Sequence, residues 1–229
     1  GCGAVPILGL YAAMQDKNVA VVCIEKNPAA AKIAEKYIDL LGLTERISVL
    51  CGDARTITPA AEIDILVSET MDVALFNEPM ADILAHLKTF VAENGAILPQ
   101  EVKLYASIIP MAEYSNASSY SLVDVDAAPV LSTNWQAIGG YKGGDSRPSI
   151  EITLQSDITS DEAIVVLTSE VMVANNVPVL SMNTSRLTQP MPLPEHGGKN
   201  IRLFTTVSGS QLRLSYTAGD HPTDVHVSS

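Results

Sequence analysis

Two glycines and four acids stand where this chain could do chemistry. Gly1 and Gly3 flank Cys2 in a loop that runs into a helix-like stretch. Glu25 closes the apolar run "VAVVCI", and Asp53 follows the next such run in "CGDAR". Glu69 and Glu78 stand nine positions apart in "DILVSETMDVALFNEPM", separated mostly by apolar residues. Glycines permit a tight turn and a close backbone approach by a ligand. A carboxylate at a strand end can accept both hydroxyl protons of a ribose, and a second can accept an exocyclic amine of adenine. Each feature alone has a plainer explanation. A strand-end acid can cap the following helix, and Glu78 suits the favourable N-terminus of one. Together and in this order, loop, ribose acid and adenine acid point to a nucleoside site.

The form of the loop narrows the nucleoside. A dinucleotide site calls for G-x-G-x-x-G, so that pyrophosphate can approach the helix terminus. Here the loop reads "GCGAVPILG", with Val5 and Pro6 where the later glycine should stand. S-adenosylmethionine carries no phosphate and tolerates such a loop, so methyl transfer is the expected chemistry.

The elements that would position these residues alternate up to about Leu98. Helical spacing is expected over Pro6–Met14, over Asn27–Leu41 with Gly42 as its stop, and over Glu78–Val91. Val19–Ile24 reads as a strand buried on both faces, "RISVLCGD" and "DILVSE" as a second and third strand, and "ENGAILP" as a turn and a short strand. Such alternation predicts an α/β, Rossmann-like doubly wound parallel sheet, with residues 1–99 as the S-adenosylmethionine-binding domain. A glycine loop of this kind ordinarily follows a strand, so a first strand is expected upstream of Gly1. After Pro99 the pattern changes to strand-like runs divided by Gly, Pro, Ser, Asn and Asp, without helical spacing. Residues 100–229 are therefore expected to form an antiparallel β domain, sandwich or barrel. "GGYKGGDSRP" reads as a flexible loop within it.

Composition sets further bounds. An apolar content of 47% over 229 residues supports a folded core. A formal net charge of -12 argues against a nucleic-acid partner held by a broad basic face and would suit a cationic substrate. Cys2, Cys23 and Cys51 lack metal-ligand spacing and read as reduced core thiols of a cytoplasmic protein. His86, His196, His221 and His226 are scattered, so no metal is expected, and no apolar run is long enough for a membrane helix.

"GCG", "CIEKNP", "CGDAR", "DILVSETMDVALFNEPM" and "ENGAILPQEVKLYASIIP" together resemble the protein arginine N-methyltransferases, a family of class I S-adenosylmethionine-dependent methyltransferases. The most specific part is the pair of glutamates, which corresponds to that family's double-E loop. The resemblance implies a C-terminal β-barrel substrate domain after the cofactor domain. It implies that Gly1 and Gly3 line the cofactor, that Glu25 with Lys26 holds the ribose, and that Asp53 and Ala54 flank the adenine. Glu69 and Glu78 would be catalytic and grip the substrate guanidinium, with Glu69 also bordering the cofactor. An arginine-containing protein, a peptide or a small guanidino or amine compound would be the acceptor, and a homodimer is the expected assembly. A small-molecule methyltransferase on the same scaffold, and a non-catalytic binding protein, stay open on the residues alone.

Overall fold

A computed structural model describes residues 1–71, 78–118, 134–145, 150–155, 163–174, 177–180, 188–192, 200–208, 211–218 and 221–223. Asp72, His196 and His226 lie outside these residues.

The first part of the chain alternates as its sequence predicts. Helix α1 (Ile7–Gln15) leads to β1 (Val21–Glu25), α2 (Pro28–Leu40), β2 (Ile47–Cys51), β3 (Ile63–Val67), α3 (Met80–Leu87) and β4 (Val91–Leu98). A single 3-10 turn, Lys88–Phe90, joins α3 to β4. The boundaries of α2 follow from local chemistry. Asn27 accepts hydrogen bonds from the Ala29 and Ala30 N–H groups, and Pro28 occupies the first turn, where its missing N–H costs nothing. At the other end Gly42 adopts a left-handed φ of 67°, and its N–H bonds to the Asp39 carbonyl at 2.9 Å. Arg46 closes the end of α1 instead, donating to the carbonyls of Ala13 (2.7 Å) and Asp16 (3.1 Å).

The parallel strands pair as two ladders, β1 with β2 and β3 with β4. In the second, Ile63 faces Val91 but Ile65 already faces Ala96. The expected turn at "ENG" is therefore a bulge within one strand. Two helices cover the first ladder. Ala13 of α1 and Ile38 of α2 pack with Cys23 and Ile47, with Cys2, Leu10, Val21, Leu43 and Val49 around them.

After a cis Leu98–Pro99 peptide the strands become antiparallel. They are β5 (Glu101–Pro110), β6 (Gln136–Lys142), β7 (Glu151–Gln155), β8 (Ala163–Ala174), β9 (Val177–Leu180), β10 (Thr188–Pro192), β11 (Asn200–Ser208), β12 (Gln211–Ala218) and β13 (His221–Thr223). One sheet runs β10-β8-β5-β6 with β9 beside β8, and the other runs β13-β12-β11-β7. β5 and β8 pair along their length, from Glu101 opposite Met172 to Pro110 opposite Ala163.

Two sequence expectations need correction here. Met111–Ser118 forms a helix, α4, inside the region expected to hold none. Gly139–Lys142, expected in a loop, belongs to β6, because Ile138 and Tyr141 bury against β5 and the glycines leave room for its backbone. Trp135 packs with Ile109, Ile164 and Val166.

A single core joins both regions. Leu66, Met80, Leu84 and Leu87 lie in one cluster with Val102, Leu104, Tyr141, Leu154, Leu167 and Val171. Below the sheets, Tyr141 Oη accepts the Gly144 N–H at 2.8 Å, which ties the end of β6 in place.

Candidate active site

The carboxyl ends of β1, β2 and β3 carry the acids singled out in the sequence. Glu25 is 9% exposed at the end of β1. Its Oε2 accepts the Gly3 N–H and its Oε1 the Asn27 N–H, both at 2.8 Å. Burial opposes ionisation, but the N–H groups of Asn27 and Gly3 outweigh it and hold the carboxyl below its ordinary value. Each oxygen keeps a second acceptor direction, which is what a pair of ribose hydroxyls requires.

The glycine loop lies across this carboxylate. The Cys2 N–H bonds to the Ile24 carbonyl at 2.9 Å, so the loop starts in register with β1. Gly3 has a φ of 68°, a left-handed conformation that favours glycine. A Cβ on Gly1 would lie 3.3 Å from Glu25 Oε2 and 3.8 Å from Thr70 Cγ2. Gly1 thus stands between the end of β1 and the segment that follows β3. In that segment the Ser68 and Thr70 hydroxyls share a hydrogen bond of 2.8 Å, and the Ser68 N–H bonds to the Leu98 carbonyl at 2.9 Å. These contacts fix the backbone on both sides of Glu69.

Asp53 is reached from Glu25 through one bond, Gly52 N–H to the Glu25 carbonyl at 2.9 Å. Its carboxylate is already engaged. Arg55 approaches Oδ1 through Nε at 3.0 Å and Oδ2 through Nη2 at 2.6 Å, and Lys26 Nζ lies 3.1 Å from Oδ2. The Arg55 fork, with its backbone N–H, holds this carboxyl far below the usual carboxylate range. An adenine amine would have to share Asp53 with that fork. The Ala54 methyl is buried in the main core. His86 Nε2 bonds to the Ile57 carbonyl at 2.8 Å, and its ring meets Phe90 edge-on, which seats this turn on α3.

Glu69 and Glu78 are both exposed, one just after β3 and the other just before the Pro79 cap of α3. Residues 72–77 between them lie outside the described part. The structure therefore brings Gly1, Gly3, Glu25 and the neighbourhood of Glu69 together, and joins Lys26 to Asp53. Arg55 was not singled out in the sequence. The only signal for Arg55 was its opposite charge two residues after Asp53, within one turn.

The cysteines are not three core thiols. Cys23 is buried, Cys2 is partly exposed and Cys51 is exposed. Among the described residues no group of three or more His, Cys, Asp or Glu side chains is placed to hold a metal, and no helix is long and apolar enough to cross a membrane.

An α/β fold with glycines and acids at the carboxyl ends of parallel strands is Rossmann-like. Residues 3–98 match the family model described as PRMT5 arginine-N-methyltransferase. Histone-arginine methyltransferase CARMER of Drosophila persimilis is 27% identical over 111 residues, 48% of this chain and 20% of that protein. The arginine N(omega)-methyltransferase of Streptomyces achromogenes subsp. streptozoticus is 26% identical over 108 residues, 45% of this chain and 30% of that protein. The chain thus spans less than a third of the curated relatives it matches.

Among solved structures, the Trypanosoma brucei PRMT1 enzyme-prozyme heterotetrameric complex with AdoHcy gives a TM-score of 0.63 at 16% identity, covering 98% of this chain and 85% of that one. The crystal structure of PRMT6-SAH gives 0.68 at 15% identity, covering 95% and 89%. At these identities the structural likeness speaks for the fold. With the sequence matches, it relates this chain to the protein arginine methyltransferases.

Proposed function

We propose that the chain is part of an S-adenosylmethionine-dependent N-methyltransferase that transfers a methyl group to a guanidino nitrogen of arginine or an arginine-containing peptide. The observation that carries this reading is the shelf made by Gly1, Gly3 and Glu25, with Thr70 and hence Glu69 at its edge. The shelf suits a nucleoside without phosphate. It offers a carboxylate held below its ordinary value and a backbone opened by glycine. When bound, S-adenosylmethionine supplies an activated methyl group on a sulfonium sulfur.

In this reading the residues have separate tasks. Glu25 orients the ribose, and Lys26 holds Asp53 beside it. Asp53 and the backbone at Ala54 border the adenine. Glu69 and Glu78 accept the guanidinium protons from two sides, since its planar fork of donors matches carboxylates. Two such contacts fix the nitrogen that faces the methyl group, and in an in-line displacement that alignment is a large part of the barrier. They also draw positive charge away from the attacking nitrogen.

Residues 1–99 would form the cofactor unit and 100–229 a barrel-like substrate unit, with the protein working in the cytoplasm. A homodimer belongs to the same proposal. It is supported by α1, which exposes Ile7, Leu8, Tyr11 and Met14 on one side, each more than half accessible.

The test is an acceptor screen with radiolabelled S-adenosylmethionine, free arginine, arginine-rich peptides and lysine-only control peptides. Label in arginine side chains is expected. Label confined to lysine or to compounds without a guanidino group would refute the assignment.

A further inference from the structure

Thr70 stands between the glycine shelf and the backbone that carries Glu69, and its side chain reaches toward both. Glycine leaves open the place that a Cβ on Gly1 would take, and two groups border that place. Glu25 Oε2 is 3.3 Å from it and Thr70 Cγ2 is 3.8 Å from it. The Thr70 methyl therefore shares one notch with the carboxylate assigned to the ribose. The hydroxyl of the same residue has another partner, the Ser68 hydroxyl, at 2.8 Å. Ser68 in turn donates its N–H to the carbonyl of Leu98, the last residue of β4, at 2.9 Å.

Exposure along this segment follows the same division. Ser68 and Thr70 are half-buried, and Met71 packs against the main core. Between them only Glu69 is exposed. Its neighbours are seated on both sides, and the acid is presented to solvent. A β-branched side chain has few χ1 positions open to it, and Thr70 has both branches engaged at once. Serine in its place would keep only the hydroxyl, and valine only the methyl.

We propose that Thr70 is a positioning residue that sets Glu69 relative to the cofactor shelf, through its methyl beside Gly1 and its hydroxyl on Ser68. It acts through Glu69 and not on the reacting atoms. Without the hydroxyl bond, the backbone on either side of Glu69 gains freedom, and the carboxylate loses its fixed direction toward the guanidino group. A misplacement of about 1 Å can slow a reaction by about a hundredfold. The role of Glu69 rests on the function proposed above, but the seating of the segment that carries it does not.

The test uses the whole 229-residue chain and follows methyl transfer to an arginine peptide, calorimetry with S-adenosylhomocysteine, and amide hydrogen exchange at Ser68. Thr70→Val should lower kcat about tenfold with S-adenosylhomocysteine affinity unchanged, since the methyl is kept. Ser68 exchange should become about threefold to tenfold faster, as the loss of one neutral hydrogen bond implies. Ser68→Ala should behave alike, and the double variant should be no worse than either. Thr70→Ser should recover most of the rate, yet bind S-adenosylhomocysteine about threefold more weakly for want of the methyl. Thr89→Val removes another hydroxyl bond of 2.8 Å, to the His86 carbonyl, and as a control should alter neither rate nor affinity. Equal losses of rate in Thr70→Val and Thr70→Ser, or unchanged kcat or Ser68 exchange in Thr70→Val, overturn the proposal. If the unaltered chain labels no arginine, the proposed function falls, while Ser68 exchange and the cofactor affinities still decide this one.

Discussion

Glu25 holds together two pieces of backbone that would otherwise drift, the glycine loop and the cap of α2. Its value is lowered on folding, so it stabilises the fold above the unfolded carboxyl value, and that contribution is lost as pH falls through the folded value. Glu25→Gln would place an amide NH2 against one of the two backbone N–H groups. A cost of about 1–3 kcal/mol is expected, read from urea unfolding at neutral pH and shrinking in acid. The loss should come with weaker S-adenosylhomocysteine binding. The position of Glu25 at a strand end was legible because a charge that closes an apolar run marks where the buried strand stops. Arg55 was not, because nothing in its type reveals which of several nearby acids a flexible side chain will choose. The three cysteines misled for a related reason. An apolar neighbourhood in sequence does not say how far each residue is covered: Cys51 shares the face of Cys23 through the β1–β2 register, yet it lies exposed at the end of β2.

Single elements are held by few contacts, which can be tested one at a time. Removing the Asn27 cap of α2 by Asn27→Ala should cost about 1 kcal/mol of stability, measured by denaturant unfolding. His86→Ala should cost a similar amount through the lost bond to the Ile57 carbonyl. It should also speed hydrogen exchange in the Asp53–Ile57 turn without touching α2. Helix α2 was readable end to end because its cap, its apolar spacing and Gly42 all agree. Helix α4 was not, since "MAEYSNAS" has no sustained apolar spacing and follows a proline, so tertiary contacts with β5 decide its conformation. In β6 the glycines signalled a loop, but pairing with β5 on one edge and burial of Tyr141 outweigh their weak strand preference.

Across the whole molecule, the change of strand pattern at Pro99 does not divide the core. Leu84 on α3 is fully buried among residues from β5 and β8. Leu84→Ala should therefore cost about 2–5 kcal/mol, and both regions should lose hydrogen-exchange protection together. Two well-separated calorimetric transitions would speak against a shared core. The sequence revealed two kinds of element order, but a cluster that joins them depends on contacts distant along the chain, which local patterns do not encode.

The reading of the site depends most on Glu69 and Glu78, and one measurement addresses it directly. Glu78→Gln should bind S-adenosylhomocysteine as the unaltered chain does, because the Glu25 shelf is unaffected, yet transfer methyl to an arginine peptide about tenfold to a hundredfold more slowly, the worth of one charge-assisted hydrogen bond. Transfer at the original rate, with cofactor affinity equally unchanged, would contradict the guanidinium clamp.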